Sequence, residues 1–162
     1  MANTALLRYE VEPYIRAQLE TKFGKVFRSQ RLPLQAGATR EFDAVSDDGS
    51  VVVSIKTSSR LTSGGNLPGG KIKAAIADLY YLNLISAPTR WLVLTNAEFY
   101  EIFSRVMNGA VSPGIEVRLM PLSAELQSRV DRVIAAAVDE MDRGKVVQAV
   151  ATAIEEEAES GT

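Results

Sequence analysis

Asp43 and Lys56 lie in two neighbouring β-rich runs whose spacing brings a carboxylate and an amine to one side of a hairpin. Arg40 to Ser46 and Val51 to Ser58 are strand-like, and Asp47-Asp48-Gly49-Ser50 separates them. An Asp-Gly pair between such runs signals a tight two-residue turn. With that turn, Asp47 pairs with Ser50, Asp43 with Ser54 and Glu41 with Lys56. Side chains alternate along a strand, so Glu41, Asp43, Val45, Val52, Ser54 and Lys56 are expected on one face. Phe42, Ala44, Val51, Val53 and Ile55 fall on the other, and all five are apolar. Two carboxylates, a hydroxyl and an amine on one face suit metal-assisted phosphodiester cleavage. A carboxylate can hold Mg²⁺, which keeps several waters and can bridge to a phosphate oxygen. The metal activates a bound water, and a lysine beside it orients or deprotonates that water or stabilises the transition state. The competing reading is a structural Glu41–Lys56 ion pair across the strands on a solvated sheet face.

The elements that must position these residues can be read along the chain. Leu7, Val11, Tyr14, Ile15 and Leu19 recur at helical spacing up to Gly24, with Pro13 either kinking the helix or opening a shorter one near Glu12. Lys25 to Leu34 reads as a strand, and the hairpin follows. Arg60 to Gly70 is a polar, Gly-rich loop. Lys71 to Ile85 is helical through Ile72, Ala75, Ile76, Leu79 and Leu82, and Arg90 to Thr95 is an apolar run expected to be a strand buried on both faces. A helix over Ala97 to Met107, a strand over Ile115 to Leu122 and a helix from Ser123, interrupted at Gly144, complete the chain. The expected fold is α/β, an α-β-β-β-α-β core with a mixed sheet between helices, plus C-terminal helices. Residues 1–122 form the core domain and 123–162 a helical extension that either caps the core or forms a homodimer seam.

Composition narrows the chemistry. The 162 residues suffice for one domain, with 46% hydrophobic and 23% charged residues. The formal net charge of −2 gives no global basic field for coating nucleic acid, although it leaves room for a local basic cleft. Cysteine and histidine are both absent, which removes disulfides, thiolate sites, histidine-ligated zinc and every histidine general base. Catalysis would use carboxylates, lysine, hydroxyls or a hard cation held by oxygen. No apolar run reaches the ~20 residues that span a bilayer, and the first ten residues lack a signal-peptide pattern, so a cytoplasmic location with no membrane is expected.

Phe42-Asp43, ten intervening residues and Ser54-Ile55-Lys56 resemble the signature of the PD-(D/E)XK nuclease superfamily (restriction-endonuclease-like fold), and the order of elements is similar. The resemblance covers Thr4 to Thr95. It implies that Asp43 and the acidic residue of the second element bind a divalent cation, that the carbonyl of Ile55 assists, and that Lys56 acts on the nucleophilic water. A glutamate on the first helix often joins such a site, and Glu10 is the match here, with a surface pairing to Arg8 or Arg16 as its alternative. Two departures stand out. Phe42 replaces the proline, and Ser54 replaces the usual acid, where a hydroxyl is a poor ligand for Mg²⁺. Glu41 and Glu10 are the candidates to supply the missing carboxylate. The expectation is a Mg²⁺-dependent nuclease acting on DNA, with Mn²⁺ as substitute. The alternative is a catalytically inactive relative that binds nucleic acid or protein.

Around this site, Arg60, Lys71 and Lys73 are candidate phosphate contacts. Gly65 to Lys71 fits the start of a phosphate-binding loop, but Ile72 stands where a hydroxyl is required. Tyr80 and Tyr81 either stack bases or sit at the core edge, as do Phe99, Tyr100 and Phe103.

Overall fold

The computed structural model describes residues 5–58 and 69–160, with side chains up to residue 148. Helix α1 starts as a π turn, Leu7–Val11, and continues as α-helix over Glu12–Phe23 with Pro13 in its first turn. Proline has no N–H to donate to the carbonyl of Tyr9, and the widened turn takes up that interruption. Gly24, at φ 65°, ends the helix by donating its N–H to the carbonyl of Glu20 at 2.8 Å. Strands β1 (Phe27–Pro33), β2 (Thr39–Ser46) and β3 (Val51–Lys56) form an antiparallel meander. Helix α2 (Gly69–Asn83) leads to β4 (Thr89–Leu94), then α3 (Ala97–Val106) to β5 (Ile115–Leu119), with β3, β4 and β5 mutually parallel. The result is an α/β fold around a five-stranded mixed sheet in the order β1-β2-β3-β4-β5.

Both faces of the sheet are covered. On one side Phe42, Val45, Val52, Leu92 and Leu94 pack against α2 and α3 through Ala75, Leu79, Leu82, Phe99 and Phe103. On the other, Ala44, Val53, Ile55 and Val93 meet Val11, Ile15 and Leu19 of α1 and Leu126 and Val130 of the last helix. Trp91 to Leu94 are all buried, as an apolar run in a covered parallel strand requires.

The last helix, α4, runs unbroken over Ala124–Ser160, so Gly144 does not interrupt it. An exposed mid-helix glycine costs only about 1 kcal/mol relative to alanine, too little to end a helix by itself. Its first turns cap the core, with Ile134 still in contact, whereas Met141 and Val147 are 61% and 69% exposed. Among the described residues no helix is long and apolar enough to cross a membrane.

Candidate active site

The hairpin pairs as the sequence predicts near its turn, with Ala44 opposite Val53 and Val45 opposite Val52. There the ladder stops. On the other edge of β2, Arg28 pairs with Val45 but Gln30 pairs with Phe42, so Ser29 alone spans Asp43 and Ala44. This is a β-bulge of one extra residue, which reverses the alternation of everything beyond it. Phe42 therefore shares the α2-side core with Val45, where strict alternation puts it opposite. Glu41 is turned away from Lys56, and the expected Glu41–Lys56 pair does not form. Glu41 is exposed and accepts a 2.7 Å hydrogen bond from Ser29, which holds its carboxyl below the ordinary range.

Asp43 occupies the bulge. Its Oδ2 accepts the Ile55 backbone N–H at 2.7 Å, and its main-chain carbonyl accepts from Arg16 Nη1 of α1 at 2.8 Å. The side chain thus takes the place of the ladder partner that β2 no longer provides. In an antiparallel ladder the N–H and C=O of one residue address the same neighbour, so the carbonyl of Ile55 faces the same gap. Burial pushes the Asp43 carboxyl above its ordinary value and Asp78 adds to the rise, while the Ile55 N–H, Lys56 and Arg16 oppose it. Glu12 on α1 is raised as well, by burial and then by Asp43, with Arg16 at 3.5 Å acting against both.

Lys56 lies at the end of β3 and reaches α2. Its Nζ is 2.8 Å from Oδ2 of Asp78, and Oδ1 of the same carboxylate receives Arg40 Nη2 at 3.2 Å. The Asp78 side chain is 8% exposed, against 33% for Lys56 and 36% for Arg40. The Arg40 guanidinium also lies over the Tyr81 ring, 3.7 Å from its centroid. Ser54 is buried, one alternation before Lys56.

The remaining expected residues fall elsewhere. Glu10 makes a two-pronged ion pair with Arg129 of α4 and is not brought to Asp43, so the helix carboxylate near the bulge is Glu12. Lys71 is in the first turn of α2, its pKa lowered by burial, with Asp131 of α4 nearby. Lys73 is exposed on the same helix, and Arg60 and residues 65–68 lie outside the described residues. Tyr80 is exposed, Tyr81 packs at the core edge, and Phe99 and Phe103 are core. Asp78, Glu12, Arg40 and Arg16 were not anticipated. Asp78 had a signal, since it falls between Ala75 and Leu82 on the apolar stripe of its helix, where a carboxylate must find partners.

Among the described residues no three carboxylates converge closely enough to enclose a metal ion. The donors at the gap are Asp43, which receives one hydrogen bond there, and the Ile55 carbonyl, with Asp78 close enough to raise the Asp43 carboxyl and Asp43 close enough to raise that of Glu12. That set fits Mg²⁺, which is commonly held by one or two carboxylates and retains water. Comparison with protein-family models, with curated proteins and with solved structures finds no match to this chain.

Proposed function

We propose that this chain is a Mg²⁺-dependent nuclease of the restriction-endonuclease-like fold that hydrolyses DNA phosphodiester bonds. The observation that carries the reading is a half-buried Asp43 in a strand gap, with its carboxyl raised, one strand from a lysine fixed by Asp78. Asp43 and the Ile55 carbonyl would hold the cation, with Asp78 or Glu12 supplying the charge that Ser54 lacks. The ion supplies activation of a water and charge neutralisation at the phosphate. Lys56 donates to the attacking water or to a non-bridging oxygen, fixing the line of attack and stabilising the developing charge. Water adds to phosphorus, the bond to the leaving oxygen breaks, and protons pass to and from solvent. Arg16 acts from the far side by clamping the bulge that aims Asp43.

Cleavage of plasmid or oligonucleotide DNA with Mg²⁺ or Mn²⁺, lost in Asp43→Ala and in Lys56→Ala, is the expected result. No cleavage with either metal, or cleavage that survives both substitutions, defeats the proposal. A second reading, a catalytically inactive module that binds nucleic acid or protein, draws on Ser54 in the acidic position and the lack of a three-carboxylate cluster among the described residues. It predicts DNA or partner binding unaffected by Asp43→Ala and no activity gained in Ser54→Glu.

A further inference from the structure

Asp78 is a single buried carboxylate with two cations on it, Lys56 on one oxygen and Arg40 on the other. One cation would neutralise it, and burial of a carboxylate demands no more than that. Lys56 also acts on the Asp43 carboxyl, so the two cations answer two carboxylates, and both cations are about one-third exposed. Neither is free to move far: Lys56 is held by the Asp78 ion pair, and Arg40 is held by Asp78 and by the Tyr81 ring beneath it. After one bond to Asp78, an ammonium and a guanidinium each retain donors for a further ligand.

We infer that Arg40 and Lys56, set side by side by Asp78, form a binding site for a phosphate group of a nucleic-acid strand. The inference rests on the nuclease reading for its choice of ligand and adds Arg40 as a phosphate-binding residue beside the reacting centre. A guanidinium presents a planar fork that suits two phosphate oxygens, and the ammonium adds a point charge. Ordering the two cations in advance spares the cost of fixing two long side chains when the ligand arrives.

The test is anisotropy of a labelled oligonucleotide with the full chain in EDTA, so that binding is read apart from cleavage. Arg40→Gln should weaken binding about tenfold or more, the loss expected of a charge-assisted contact, and Arg40→Lys should restore part of it. The salt dependence should fall by about one ion in Arg40→Gln. Thermal unfolding of each variant shows that the fold is retained. If inorganic phosphate displaces the oligonucleotide at comparable concentration, the site takes phosphate as such; if it does not, the site requires the strand. Binding unchanged in Arg40→Gln, or a wild-type chain that binds neither oligonucleotide nor phosphate, overturns the inference. A chain that binds through Arg40 yet never cuts ends the nuclease proposal alone. A chain that cuts with unchanged KM in Arg40→Gln ends this inference alone.

Discussion

Replacing Asp43 by asparagine should make the protein more stable at neutral pH while abolishing cleavage. The amide can still accept the Ile55 N–H, so the bond that fills the strand gap is retained. What disappears is a half-buried charge whose carboxyl lies above its ordinary value, chiefly through desolvation and then through Asp78. Such a carboxyl holds its proton more tightly in the folded state than in the unfolded one. Its stabilising contribution is intact below the unfolded value of ~3.9 and is lost as pH rises through the folded value. Every unit of elevation is worth about 1.4 kcal/mol at neutral pH. The attractions of Lys56 and Arg16 already act within that net elevation, so the variant should unfold at a higher temperature than the wild type at neutral pH. The assay is thermal or urea unfolding of both proteins from acid to neutral pH in EDTA. The gap should be widest at neutral pH and should close on acidification. Adding Mg²⁺ to ten times its Kd should stabilise the wild type by about 1.4 kcal/mol and the variant hardly at all. A variant less stable than wild type at neutral pH, or a gap that ignores acidification, would refute the account of Asp43.

Asp78→Ala should destabilise the fold by about 1–3 kcal/mol, less than for a fully buried ion pair because water reaches the two stranded cations; urea unfolding with a change below ~0.5 kcal/mol would contradict the pairing. Glu12→Gln should weaken Mg²⁺ binding more than Glu10→Gln, since Glu12 is the carboxylate that interacts with Asp43 and Glu10 is engaged by Arg129. A thermal-shift titration with the metal gives the two affinities, and equal effects would reject that assignment. Gly144→Ala meets no atom within 4 Å and should strengthen the exposed part of α4 by about 1 kcal/mol. Helical ellipticity below the global transition should therefore decline later on heating, and no difference there would argue against a continuous helix.

What could be read in the sequence, and what could not, divides at the bulge. The turn chemistry of Asp48-Gly49 is local, so the register beside it was legible, and Ala44 and Val53 pair as expected. Beyond it the forecast relied on alternation, which carries information only where one face of a sheet is wet. Here both faces are covered, Ala44 and Val45 are both buried, and consecutive apolar residues hide the extra residue that turns Phe42 and Glu41 over. The choice between Glu10 and Glu12 was closed to the sequence for a related reason. Two helical positions two residues apart point roughly 200° apart, so the outcome depends on the rotation that the π turn before Pro13 imposes. Asp78 was different, because a carboxylate within an apolar helical stripe announces that a cation must come to it. Lys56 takes its carboxylate partner from α2 rather than from the hairpin, where cross-strand pairing alone would place it. The two unexplained charges, taken together, already pointed at each other across the crossover from β3 to α2. A missing acid in the strand is therefore no measure of the charge available at the site, since a covering helix can bring carboxylates to the same strand end.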